Sequence, residues 1–169
     1  MGLNIGKRIN MKRLTIAFLL VTFSALTSCS GDFQKGFMAF LGGDYTTAVK
    51  EFTKSAEQGN AQAQFSLASM YYNGQGVPQD YKQAAKWYTK AAEQGKASAQ
   101  YILGLMYAAG QGVLQDDVYA HMWLNLAAAD GQENASKNRD IVADSMTTAD
   151  ISKAQSLARE CLKKNYKGC

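Results

Sequence analysis

Residues 87–113 read WYTKAAEQGKASAQYILGLMYAAGQGV, and residues 51–77, which lie 36 positions earlier, read EFTKSAEQGNAQAQFSLASMYYNGQGV. The two stretches align without a gap and share the run AEQG, the pair MY and the run GQGV. Chance does not hold one register over this length, so the chain contains internal repeats. Repeats of this period stack side by side and bury a core only when neighbours are present.

The repeat extends beyond the quoted stretch in both directions. Three aspartates mark the first position of successive units at a constant spacing of 36 residues: Asp44, Asp80 and Asp116. The units are therefore taken as 44–79, 80–115 and 116–146. The third unit is diverged, because it keeps the tryptophan and alanine positions of its helix but lacks the Gly-x-Gly turn.

The apolar residues of the second unit predict two helices. Tyr81, Ala84 and Tyr88 recur at helical spacing while lysines fall on the other side, which is typical of an amphipathic helix A. Gly95 supplies a left-handed stop, and residues 97–109 follow as helix B. An aspartate before helix A can cap its free backbone amides. Each unit is thus predicted to be a helical hairpin, and the fold class to be all-α.

At these residues the chain resembles the Sel1-like repeat family, relatives of the tetratricopeptide repeats. The resemblance rests on the 36-residue period, on the pattern from Trp87 to Tyr107 and on the Gly110-x-Gly112-Val113 turn. It implies a short α/α solenoid whose concave face binds peptides or protein surfaces, as in adaptors of multiprotein assemblies. Residues 29–43 are expected to form a linker and an N-terminal helix, and residues 147–169 a C-terminal capping helix and tail.

Residues 1–28 are predicted to be a signal peptide. Four basic residues precede an apolar run, Leu14 to Leu26, that is too short for a permanent membrane span. The sequence Leu26-Thr27-Ser28-Cys29 resembles a bacterial lipobox, which would make Cys29 the lipid-attachment residue. The alternative is an ordinary secretory peptide with Cys29 as an incidental thiol. Either Met1 or Met11 can be the start.

Charge and hydropathy narrow the classes of partner. Four of the 18 basic residues and none of the 14 acidic residues lie in residues 1–28, so the remaining chain has no net charge. Nucleic-acid binding is not expected, because it needs a clustered basic surface. Membrane contact is expected only through acyl chains on Cys29. The predicted location is the outer membrane, facing the periplasm, with a soluble periplasmic or secreted protein as the alternative.

A column of aligned residues gives the candidate protein-binding groove. Trp87 aligns with Glu51 in the first unit and with Trp123 in the third. A position that accepts both a charge and an indole is predicted to lie at the groove rim, where Trp87, Trp123 and His121 could supply anchor contacts. The alternative is that both indoles pack between hairpins. His121 is the only histidine and has no cysteine or carboxylate at metal-ligand spacing beyond Asp117, so neither a metal nor a cofactor is expected.

Two cysteines remain once Cys29 is assigned to lipid. Cys161 and Cys169 lie eight residues apart, and a continuous helix would hold their α-carbons about 12 Å apart, too far to bridge. A disulfide therefore requires the helix to stop near Asn165. It would then pin the C-terminal cap in an oxidising compartment.

Catalysis is not expected from the motifs present. Some cysteine-rich relatives of this repeat family are linked to β-lactam binding or hydrolysis, but Ser-x-x-Lys, Ser-Asp-Asn, Lys-Thr-Gly and Gly-x-Ser-x-Gly are all missing from this sequence. The sequence therefore predicts a non-catalytic scaffold that binds other proteins. An envelope hydrolase and a secreted effector that acts on host proteins remain as alternatives.

Overall fold

A computed structural model describes residues 31–169, and within that range it contains eight helices and no strand. The signal peptide and Cys29 lie outside the described residues. Residues 31–41 belong to the first helix, α1, and the others follow in order: α2 Tyr45–Glu57, α3 Ala61–Asn73, α4 Tyr81–Ala92, α5 Ala97–Ala109, α6 Asp117–Ala129, α7 Ala135–Ala143 and α8 Thr148–Lys163. The predicted all-α solenoid of helical hairpins is confirmed.

Side-chain caps explain where the A helices begin. The carboxylate of Asp44 accepts a hydrogen bond from the backbone N–H of Thr47 at the start of α2, at 3.0 Å. Asp80 accepts two such bonds before α4, and Asp116 accepts one before α6. Each satisfies amides that have no partner inside the helix, which is typically worth about 1 kcal/mol. The aspartate at the 36-residue spacing is therefore a structural residue.

The Gly-x-Gly turn closes each complete hairpin onto its own first helix. Gly112 has φ +73°, and a Cβ there would overlap the carbonyl of Tyr81 at the start of α4. Gly76 stands in the same relation to Tyr45 at the start of α2. Only glycine fits both the backbone conformation and this close approach. The second glycine of each turn is therefore required by the close packing of the turn on helix A.

Small residues and rings alternate through the core. Alanines at the crossing of helices A and B are fully buried, which lets the two backbones approach closely: Ala56 and Ala63 in the first hairpin, Ala92 and Ala99 in the second. Phe52, Tyr88 and Leu124 fill one repeated position between hairpins, and Gly36 makes room for Phe52. Burial raises the pKa of Tyr88 to about 12.

The third unit ends the stack differently from the other two. Its helix B, α7, has nine residues against 13 in α3 and α5. Helix α8 follows the capping residue Thr147, and it packs chiefly against α6. The chain after α8 continues back to the turn between α4 and α5, where the N–H of Gly168 donates to Glu93. The C-terminal helix therefore folds over helix A of the third unit.

Within residues 31–169 no helix has both the length and the apolar character needed to cross a bilayer.

Candidate protein-binding surface

One face of the A helices is open in two units and covered in the third. In α6 this face is apolar and consists of Tyr119, Met122, Trp123 and Leu126, four residues at helical spacing. Tyr119 and Met122 line a cavity of about 100 Å³ together with Leu157 and Cys161 of α8. Helix α8 therefore covers the face in unit 3.

The equivalent face of α2 and α4 is charged and uncovered. Met122 aligns with Lys86 and Lys50, and Leu126 aligns with Lys90 and Lys54. All four lysines are exposed. We call Lys50, Lys54, Lys86 and Lys90 the lysine face. It continues, along the first two units, the surface on which α8 lies in the third.

Two residues beneath the lysine face contact two of its four lysines. Glu51 accepts from Lys54 at 2.9 Å, and its side chain is only 12% exposed. The Lys90 ammonium lies 4.4 Å from the ring centroid of Trp87, which is a cation–π contact. Trp87 is buried in the core cluster at 8% exposure, with the lysine above it. A ligand on this face would meet ammonium groups before the indole.

The predicted rim position does not hold for three of the four candidate groove residues: Trp87, Trp123 and His121. Trp123 is 1% exposed, His121 3% and Trp87 8%, so none of the three presents its ring to a partner in this structure. The burial of Trp87 and Trp123 agrees with the alternative that the two indoles pack between hairpins. The error has a physical reason: the position is largely buried in each unit, where an indole packs directly and Glu51 is accommodated because its carboxylate pairs with Lys54. Glu51 and Trp87 lie beneath the lysines of the uncovered face.

His121 is a buried residue with a shifted titration. Burial is the main cause that lowers its pKa, the charge of Arg139 lowers it further, and Asp140 opposes both. Its Nδ1 atom has no hydrogen-bond partner. In residues 31–169 no group of three or more His, Cys, Asp or Glu side chains could hold a metal ion.

The two C-terminal cysteines are joined. Cys161 and Cys169 form a disulfide with their α-carbons 5.5 Å apart, since α8 ends at Lys163 and the chain then reverses. Asn165 and Tyr166 accomplish the reversal with positive φ values of 50° and 65°. The Tyr166 hydroxyl donates to Asp130 at 3.0 Å, which ties the closed loop to the end of α6.

Comparison with known proteins identifies the repeat family to which this architecture corresponds. The Sel1 repeat model matches residues 61–96 and 97–132, so its units run from helix B to the following helix A. A Sel1 repeat protein from Oxalobacter formigenes, known from a crystal structure, is 34% identical over 73% of this chain and 97% of its own, with a TM-score of 0.62. The chain belongs to the Sel1 repeat family. Sel1 repeat proteins bind other proteins and generally serve as interaction scaffolds.

Two other solved structures extend the comparison. A protective antigen of uropathogenic Escherichia coli with an SLR fold is 32% identical over 82% of this chain, with a TM-score of 0.76; the match spans only 30% of that antigen's length. The cysteine rich protein B of Helicobacter pylori is 21% identical, with a TM-score of 0.57 over 79% of this chain and 98% of its own, and supports the fold alone. No curated protein matches.

Proposed function

We propose that this Sel1 repeat protein is an exported scaffold of the bacterial cell envelope, anchored by lipid on Cys29, that holds a partner protein across α2 and α4. The lysine face is the observation that supports this proposal. It presents four exposed ammonium groups on a surface that the same chain covers in unit 3 with its own helix. A surface that accepts a helix in one unit is shaped to accept a segment of another protein in the next.

The charges indicate which kind of segment fits. The chain from residue 29 onward has no net charge, yet the lysine face holds four cations against one partly buried carboxylate, that of Glu51. The positive surface is therefore local and favours a segment rich in Asp and Glu. Such complementarity mainly raises the association rate and the specificity, and it weakens with salt. We expect partner capture to fall as ionic strength rises.

Charge reversal tests the proposal. The double variant Lys86→Glu and Lys90→Glu should lose envelope partners that crosslink to the native protein, because it repels an acidic segment. The matched control is Lys137→Glu and Lys153→Glu, which changes the net charge by the same amount at exposed lysines on α7 and α8, away from this face. Equal loss of crosslinking in both variants, or no loss in either, would assign partner binding to another surface.

Mass spectrometry tests the anchor separately. Protein extracted from membranes should begin at Cys29 and carry a diacylglyceryl increment that the Cys29→Ala variant lacks. A native chain without lipid would move the scaffold to the soluble periplasm or the medium while leaving the lysine-face experiment unaffected.

A further inference from the structure

The first described helix carries an apolar face that no residue of the described chain covers. Phe37, Met38 and Leu41 of α1 are 46%, 68% and 64% exposed, and Tyr45 at the start of α2 is 37% exposed. Beside them lies a cavity of about 130 Å³ lined by four phenylalanines together with polar residues of α3: Phe37, Phe40, Phe52 and Phe65, with Gln62, Ser66 and Ser69. We call Phe37, Met38 and Leu41 the α1 face.

Stacking accounts for only one side of α1. Gly36 contacts Phe52 and the ring of Phe33 lies 5.6 Å from that of Phe52, so α1 packs on α2 as a helix B packs on the following helix A. The opposite side would face the helix A of a preceding unit. If the chain is processed at Cys29, only Cys29 and Ser30 precede α1, which is too short a segment to supply that helix. Terminal repeats of a solenoid normally present a polar outer face.

We propose that the α1 face docks on the lipid surface to which Cys29 is anchored. The inference rests on the proposed anchor, which places the start of α1 within two residues of the acyl chains. Residues 31–41 then rise about 15 Å along the helix, so the three apolar side chains stay near the headgroup layer. Within residues 31–169, Tyr45 is the one further exposed large apolar residue at this end of the chain, and Leu114, Ile141 and Leu162 belong to later segments.

The side chains of α1 suit an interfacial helix. Phenylalanine, methionine and leucine can enter the boundary between headgroups and acyl chains, and the exposed Lys35 can remain with the lipid phosphates. Acyl chains on one residue hold the protein at the membrane but leave it free to rotate about that residue, so a second contact is needed to orient it. The α1 face supplies that contact and turns the lysine face in a fixed direction relative to the membrane.

Fluorescence quenching in vesicles measures the docking directly. The lipidated Met38→Trp variant is reconstituted in phosphatidylethanolamine and phosphatidylglycerol vesicles that contain bromine-labelled acyl chains. We expect strong quenching of the added indole, with Trp87 and Trp123 giving a constant background. The matched control is Ile141→Trp, which is 57% exposed on α7 at the far end of the stack and should not be quenched. Absence of quenching at position 38 in the lipidated protein would overturn the proposal.

A second measurement separates the α1 face from the anchor. The Cys29→Ser chain should still bind the same vesicles weakly, and Phe37→Ser with Met38→Ser and Leu41→Ser should lower that partition by about tenfold or more. The control changes three exposed apolar residues elsewhere to serine, Leu114, Ile141 and Leu162. Binding that is equal in both triple variants would contradict the proposal even if mass spectrometry finds the lipid. Dimerisation through the α1 face without quenching would assign the face to a second copy.

Discussion

Gln64 and Gln100 occupy the same buried position in the first two hairpins, and their hydrogen bonds differ. The Gln64 amide donates to the carbonyl of Ala56 at 3.0 Å, and its oxygen accepts from Gln94 at 2.7 Å. The Gln100 amide donates to Ala92 at 3.3 Å, but its oxygen has no partner. In the next unit Asp130 stands at the position of Gln94, and its side chain has no N–H to donate to the Gln100 oxygen.

This difference predicts unequal costs for one substitution. Gln64→Leu breaks two hydrogen bonds and should lower the free energy of unfolding by about 2–3 kcal/mol, whereas Gln100→Leu should cost about 1 kcal/mol less, since it removes an unpartnered oxygen. Urea unfolding of both variants measures the difference. Equal costs would mean that the Gln94 contact contributes nothing.

His121 gives the protein a pH-dependent stability. Its pKa is lowered on folding, so the unfolded chain binds the proton more tightly and the folded state loses stability as the pH falls below about 6.5. His121→Val should remove this part of the dependence, and valine suits the site because Val49 and Ala85 hold the aligned positions. The difference in unfolding free energy between variant and native protein should be constant above pH 7 and change below 6.5. Parallel curves down to pH 5 would contradict this.

At the scale of the helix, α3 and α5 show what a missing cap does. Asn60 caps α3 by accepting from the N–H of Ala63 at 2.9 Å, whereas Lys96 precedes α5 with a similar backbone and no capping hydrogen bond. The Lys96 side chain reaches back to Gln62 at 2.7 Å and lies 5.0 Å from the Phe65 ring centroid. Burial lowers the pKa of Lys96, because its ammonium group is partly removed from water.

We therefore expect Lys96→Asn to stabilise the protein. The new cap should contribute about 1 kcal/mol, and the lost contacts of a partly exposed lysine about half as much, so the net gain is roughly 0.5 kcal/mol. A rise in the urea midpoint without a change in m-value is the expected observation. Lys96→Ala serves as the control, because it loses the same contacts without adding a cap and should destabilise.

The sequence predicted the helices of the complete hairpins because period, caps and glycine turns all agree there. It did not predict where α8 lies, because that contact joins elements far apart in the chain. A signal existed in α6, where Met122 and Leu126 replace Lys86 and Lys90 on the open face. Apolar residues at positions that are charged in sister repeats indicate that something covers them. Without that comparison, the alignment predicts an exposed rim position for two tryptophans that are buried.

At the scale of the whole molecule, the disulfide holds the end of the chain against two units. The loop from Cys161 to Cys169 places Tyr166 on Asp130 of the third unit and Gly168 on Glu93 of the second. Reduction frees this loop, and the entropy of closing so short a loop is on the order of 2–3 kcal/mol. The molecule should therefore be less stable in a reducing compartment.

The paired variant Cys161→Ser and Cys169→Ser tests this expectation. Its thermal midpoint should fall, and backbone amides of α8 should exchange with solvent sooner than those of α4, since α8 would keep only its contacts with α6. Treatment of the native protein with a reductant should reproduce both changes and leave the double variant unaffected. Uniform loss of protection through all helices would instead show that the disulfide stabilises the entire stack.

The cover that α8 places over α6 separates the surface that contacts the C-terminal helix from the surface that stays open. The C-terminal helix packs chiefly on the third unit, through Tyr119 and Met122 and their neighbours, while the open surface belongs to the units before it. Duplication of a 36-residue block ahead of Asp116 would lengthen the binding surface by one hairpin and leave the end piece unchanged. The number of hairpins could therefore change without any change to the residues that contact α8.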